Sequence, residues 1–377
     1  MTVDEIPLPD DEHVRLEPPD APEVQRLADG VLGTIRPDDG ALTPLQIAVT
    51  EASFAAMTGH RPDTTATPSS ADALAAELRT RNHAFRARLV QQALLGALIS
   101  DPISVDVIDR LTTLAARLGV DEGMITTARQ FADRHYELAA IDFDRNGYTA
   151  DWDPERAHPL HSTGPLDTPW RDAPDDPDLA ARWRALESLG PDTLGGAVSR
   201  FYRARGFAYP GTPGSVSPLL AQHDWVHVLA DYGSIVDNEL EVFAFIARAN
   251  DDPRGFSFLA MVVSLFETGV LASGAGLFEP DPGHLRRSGM PERLADAMLR
   301  GARCEGSIDF LALDWFTLAS RSLGGLRSEF GITPKSPHVD SPGPFETGGI
   351  NEFQLAAGRA LADRQGRPYE SWGAAAV

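Results

Sequence analysis

Five consecutive residues, His223-Asp224-Trp225-Val226-His227, have the types and spacing to do chemistry, and Glu239 follows twelve positions after His227. On an α-helix, two histidines four apart lie about 40° apart around the axis, and Asp224 falls about 60° from His227. All three polar heads then share one narrow face. Eleven residues separate His227 from Glu239, enough to finish one helix, turn and open the next. Glu239 would then stand in the first turn of an antiparallel neighbour. Imidazole and carboxylate groups from two packed helices form a sensible ligand set for a divalent cation such as zinc or iron.

A rival reading is that two histidines four apart on a surface helix are merely solvated. The surrounding residues weigh against it, because Leu219, Leu220, Trp225, Val226, Val228 and Leu229 make the helix apolar on several sides. Polar heads on a packed helix need partners. A cation meeting two imidazoles and two carboxylates would satisfy them. Asp231 lies four residues past His227 and reads as a C-terminal helix residue rather than a further ligand.

The elements that must position this face are helices. Ser217-Pro218 reads as the cap and first position of the motif helix, Gly233 as its stop, and Asp237 as the N-cap of a helix to about Asn250. Before them, Asp192 to Arg205 reads as a helix ending at Gly206; after them, helices are expected from Asp252-Pro253, from Pro291 to about Cys304, from Ser307 or Asp309 to Leu318, and from Leu323 to Phe330. In the first part of the chain, Val24, Leu27, Val31 and Ile35 recur at helical spacing. Thr43-Pro44 and Gly59 frame a helix over 44–58. A long helical pattern from Ala71 to Ile99 has a break near Asn82. Val105 to Leu118 and Met124 to Ala139 continue the series. No alternating strand pattern interrupts it.

The expected fold class is therefore all-α, with two helical domains joined by a Pro/Asp-rich linker. Residues 1–21 read as a disordered tail, 22–140 as an N-terminal helical bundle, 141–180 as the linker, 181–335 as the metal-binding domain and 336–377 as a peripheral C-terminal extension. Two domains is also the default for 377 residues. Just inside the linker, Asp142 to Gly147 with Asp153 at the twelfth position mimics a calcium loop. Asp replaces the usual Glu there and Thr149 the usual apolar residue, so an ordinary acidic Asn-Gly turn is the preferred reading.

Composition narrows the partners. A net charge of −22 and a pI near 4.7 argue against nucleic acid, whose phosphates need a basic footprint. They also argue against electrostatic docking on an anionic bilayer, leaving only peripheral membrane contact through an apolar patch. Cys304 is the sole cysteine, so an internal disulfide and a cysteine-rich zinc site are both excluded, which fits a reducing cytoplasm. Met1 to Pro22 lacks the basic and apolar regions of a signal peptide. The most apolar window, Phe256 to Phe266, is too short to span a bilayer. The chain reads as soluble and cytoplasmic.

His-Asp-x-x-His followed after eleven residues by Glu resembles the signature of the ubiquinone biosynthesis protein 4 family. Leu194-Gly195, the run Phe201 to Phe207, Asp314-Trp315 and the stretch Leu326 to Ile332 resemble the segments around that signature. The resemblance covers roughly residues 183–333 and leaves the N-terminal half outside the family pattern. It implies an all-α fold holding a divalent metal, usually zinc with Fe2+ as the alternative, on His223, Asp224, His227 and Glu239. It further implies action at C1 of a polyprenylated benzoate precursor, where decarboxylation is coupled to hydroxylation. Isoprenoid lipids, other biosynthetic enzymes and a second copy of the chain are the partners expected.

Two alternatives stand beside that expectation: a non-catalytic prenyl-lipid scaffold that organises biosynthetic enzymes, and an enzyme repurposed for a secondary metabolite. The apolar stretch 255–274 is where a groove for the lipid tail would lie, with ordinary core as the simpler reading. Zinc has no redox role, so an oxidative step would need another metal or direct reaction of the ring with dioxygen. No nicotinamide or flavin fingerprint is present. The helix pair Leu94 to Asp101 and Val107 to Val120 loosely resembles TerB-like helical domains, a likeness from which no residue role follows.

Overall fold

The computed structural model describes residues 8, 14–136, 138–139, 158–162, 175–250, 252, 255–270 and 280–369. Among these residues every regular element is helical, and the only β pairing is two isolated bridges, Arg15–Arg81 and Thr193–Ser322. The all-α expectation holds. No helix among the described residues is long and apolar enough to cross a membrane. The chain divides into two compact units. The first is Met1–Ala150 with Asp251–Leu271 and Pro280–Leu299; the second is Asp151–Asn250 with Ala272–Glu279 and Arg300–Val377. Part of the 181–335 stretch read as one domain thus groups with the N-terminal bundle.

Along the chain, the first unit opens with α1 (Ala21–Ile35), capped by the Asp20 side chain. Then come α2 (Pro44–Thr58), α3 (Ala71–Leu78), α4 (His83–Leu98), α5 (Val105–Arg117) and α6 (Met124–Ala132). Thr43 and Gln46 form a reciprocal capping box on α2, and Gly59 ends it at φ 77°. Asn82 caps α4, which explains the break in the long periodic stretch. α1 packs against α2, α3, α4 and α5. It comes so close to α4 that a Cβ on Gly96 would stand 2.6 Å from Ile35.

Two expectations in this unit need correction. Residues 14–20 are not a free tail. Arg81 is buried and pairs with the buried Glu23 through Nε–Oε1 at 2.9 Å and Nη2–Oε2 at 2.6 Å. Its remaining donors need acceptors, and Nη1 takes the Glu17 carbonyl at 2.5 Å. The second correction concerns α6, which stops at Ala132 rather than Ala139, because Arg134 turns left-handed at φ 61°. The calcium-like loop Asp142–Asp153 lies outside the described residues, as does most of the expected linker.

The second unit has α7 (Pro177–Ala185), α8 (Leu194–Arg205), α9 (Ala221–Leu229) and α10 (Val236–Ala249). The chain then returns to the first unit with α11 (Gly255–Val263), continued by a wide π turn over Ser264–Thr268 and stopped by Gly269 at φ 66°. α11 is mostly buried and packs on α4, as ordinary core does. α12 (Met290–Ala302) follows, and its residues from Arg300 belong to the second unit. That unit is completed by α13 (Trp315–Leu318), α14 (Leu323–Glu329) and α15 (Glu352–Arg364). Of the helix expected from Ser307 or Asp309 to Leu318, only the four residues of α13 form.

The stretch after 335 is not peripheral. α15 lies directly on α8, where a Cβ on Gly358 would stand 2.0 Å from the Ala204 carbonyl oxygen. The Tyr369 hydroxyl also donates to that carbonyl, at 2.8 Å.

Candidate metal centre

α9 and α10 bring the four singled-out residues together. Every residue of α9 is buried, so its histidines cannot be solvated surface groups. Glu239 lies in the first turn of α10, where the helix dipole favours a carboxylate. His223 Nε2 is 3.3 Å from Glu239 Oε2, and His227 Nε2 is 3.3 Å from Glu239 Oε1. His223 Nε2 lies 3.7 Å from Asp224 Oδ1. Ligand atoms of His223, Asp224 and His227 all fall within 4.8 Å of one another.

These separations suit a shared cation. Metal–ligand bonds of about 2.0–2.1 Å around a tetrahedral zinc put neighbouring ligand atoms roughly 3.4 Å apart. A direct ionic hydrogen bond between imidazolium and carboxylate would close to about 2.7–2.9 Å. Neither ring nitrogen of His227 has a hydrogen-bond partner, and Glu239 Oε2 has none. Buried polar atoms left in that state are costly. A divalent ion is the partner this donor set fits.

The surrounding residues aim the ligands. His223 Nδ1 donates to the Leu220 carbonyl, which places a proton on Nδ1 and turns Nε2 toward Glu239. The His223 ring stacks on Phe243 at 5.1 Å, and the His227 ring on Phe201 at 5.5 Å. Asp224 Oδ2 accepts a 2.5 Å hydrogen bond from the Tyr202 hydroxyl.

Electrostatics couple the same groups. Burial works against charge on the His223 imidazole, but Asp224 and Glu239 outweigh it and raise the group to about 9. Burial also pushes Glu239 up, and there the two neighbouring imidazoles win, holding its carboxyl well below the usual carboxylate range. For Asp224 burial prevails and its carboxyl is raised. Burial, reinforced by the Asp224 charge, raises the Tyr202 phenol well above its ordinary value.

The helix ends differ from the expectation. α9 begins at Ala221, after a turn in which Ser217 Oγ accepts from Leu220 N at 3.2 Å. It stops at Leu229 because cationic side chains take its last carbonyls. Arg327 donates to the Val228 and Leu229 carbonyls, Arg300 to Ala230 and Lys335 to Asp231. The left-handed residue is Asp231, at φ 65°, not Gly233. Asp231 turns its carboxylate toward Lys335 Nζ, 3.5 Å away, and is no ligand. Asp237 is not the N-cap of α10 either; Ile235 holds that position and Asp237 is inside the first turn.

The connection between α9 and α10 sets how His227 meets Glu239, and residues far along the chain hold it. Gly233 N donates to the Pro342 carbonyl at 3.0 Å and Ser234 N to the Gly349 carbonyl at 2.7 Å. Gly233 is glycine because Gly349 crosses it: a Cβ there would stand 2.5 Å from Gly349 Cα. Buried Arg205 ties both strands of chain, donating to Ser234 Oγ at 2.5 Å, to the Pro344 carbonyl at 2.9 Å and to the Gly349 carbonyl at 3.2 Å.

Sequence reasoning assigned no role to Tyr202 or Arg205, although both lie in the run Phe201 to Phe207 that drew notice as a segment. It singled out Asp314-Trp315 only as resembling a segment around the motif, without a position in space. Trp315 stacks parallel to Trp225 at 5.9 Å, and Asp314 Oδ1 meets His161 Nε2 at 3.0 Å. No family model, curated protein or solved structure matches this chain, so its site stands on its own geometry.

Proposed function

We propose that the second unit holds a divalent cation, zinc or Fe2+, on His223, Asp224, His227 and Glu239. We further propose that the protein acts in ubiquinone or related isoprenoid-quinone synthesis, by C1 decarboxylation coupled to hydroxylation of a prenylated benzoate. The observation that carries the metal reading is the buried cluster at ligand-to-ligand spacing in which the His227 ring nitrogens and Glu239 Oε2 have no hydrogen-bond partner. The quinone reading rests on the resemblance of the motif and its flanking segments alone.

When bound, a divalent cation would hold carboxylate and phenolate oxygens of such a substrate and stabilise charge developing on them. The chain's own share is positioning. The Leu220 carbonyl orients His223, Tyr202 orients Asp224, and Phe201 and Phe243 hold the imidazole planes.

One observation favours the second reading, a non-catalytic scaffold. All four side chains are buried, and four protein ligands close a tetrahedron as structural zinc sites do. The two readings separate on metal analysis of the purified chain together with turnover of a prenylated hydroxybenzoate. An enzyme loses metal and turnover together in His227→Ala. A scaffold shows no turnover when pure but metal-loaded. If the variant loses its metal and keeps full turnover, metal-dependent catalysis is wrong.

A further inference from the structure

We propose that Tyr202 determines how Asp224 binds the cation, and through that which cation the site selects. This rests on the metal reading above and adds a selectivity residue to it. The Tyr202 hydroxyl has one hydrogen to give, and it goes to Asp224 Oδ2 at 2.5 Å, with both side chains buried. A hydroxyl that donates to an ionised carboxylate makes a charge-assisted bond.

The phenol cannot easily swing away. Its ring lies 4.9 Å from Trp183, stacks on Tyr209 at 5.4 Å and meets Phe207 edge-on at 5.8 Å. Oδ2 is therefore engaged, and Oδ1, the oxygen facing His223, is the one left for the cation. Asp224 binds through one oxygen.

One-oxygen binding keeps the donor set at two nitrogens and few oxygens, which suits a four-coordinate ion such as zinc. Ions that want six or more oxygens, such as manganese or calcium, gain from a carboxylate that gives both. Tyr202 withholds the second one. It is a positioning residue, since it reaches the cation only through Asp224.

The test uses the full chain stripped of metal and loaded with cobalt(II) as a spectroscopic probe, followed by zinc(II) and manganese(II) titrations. Wild type should give the intense visible bands of four-coordinate cobalt. Tyr202→Phe should weaken those bands as the coordination number rises. Its zinc affinity should fall about tenfold, the scale of losses when a ligand's hydrogen-bond partner is removed, while its manganese affinity holds or rises. Tyr209→Phe removes a hydroxyl from the same aromatic stack without touching Asp224, and should change neither readout.

An unchanged cobalt spectrum and zinc-to-manganese ratio in Tyr202→Phe would overturn the proposal. A wild-type cobalt spectrum of the weak six-coordinate kind would also overturn it, even if the variant fails to fold. If wild type binds none of the three ions, the metal reading itself has failed, which is a separate result.

Discussion

His227 Nε2 stands 3.3 Å from Glu239 Oε1, yet no hydrogen bond reaches either nitrogen of the His227 ring. The ring is buried and stacked on Phe201. Glu239→Gln keeps the volume of the side chain and removes its charge. It should lower zinc affinity by about 100-fold or more, because the site loses an anionic ligand. Competition against a chromophoric chelator measures this. Affinity within about threefold of wild type would remove Glu239 from the ligand set.

Metal should also support the fold. A ligand that binds only the folded chain adds about 2.7 kcal/mol at one hundred times its dissociation constant. Stripping the ion should therefore lower the melting temperature of the wild type, and re-adding zinc should restore it. The same treatment should leave His227→Ala unmoved. Calorimetry with and without chelator checks this.

Arg205 links the α9–α10 connection to the C-terminal segment. Arg205→Met keeps much of the bulk but removes the guanidinium donors to Ser234 Oγ and to the Pro344 and Gly349 carbonyls. The expected loss is about 3 kcal/mol, as for breaking one side of a buried polar cluster. Ending the chain after Lys335 should cost at least as much and should weaken zinc binding as well. Urea unfolding and zinc titration of both variants test this. A truncated chain with unchanged stability and affinity would show the extension to be dispensable.

Glu122 supplies a pH test in the first unit. Burial lifts its carboxyl from 4.5 to about 7, against hydrogen bonds from Gln91 and the Met124 amide. The folded chain then holds this proton more tightly than the unfolded chain. Stability from this group is complete below about pH 4.5 and is lost as pH rises to about 7, by roughly 2–3 kcal/mol. Glu122→Gln should match wild type near pH 4.5 and exceed it at pH 8. A difference between the two that is flat in pH would contradict the assignment.

Gly358→Ala sets two effects against each other. Alanine is the better helix former by about 1 kcal/mol. Its Cβ would stand 2.0 Å from the Ala204 carbonyl oxygen, which belongs to the α8 backbone and cannot swing aside. The clash should win, with a net loss of about 1–3 kcal/mol by thermal unfolding.

Much of the local structure is legible in the sequence where a signal is self-contained. Thr43, Gln46 and Gly59 bound α2 because their cap contacts lie within the helix they bound. Asn82 splits the 71–99 stretch for the same reason. Gly233 and Asp237 mislead because tertiary contacts outbid local ones. Arg300, Arg327 and Lys335 end α9 early, and the approach of Gly349 explains the glycine at 233.

By itself the sequence determined the helical class, the shared face of His223, Asp224 and His227, and the chain length that lets Glu239 reach them. These follow from helix periodicity, which depends only on neighbours in the chain. The tertiary structure alone decided that the face is buried, that Tyr202 engages one oxygen of Asp224, and that Arg205 and residues 341–349 hold the turn between the two helices. Those contacts join residues up to 144 positions apart, and no spacing along the chain encodes them.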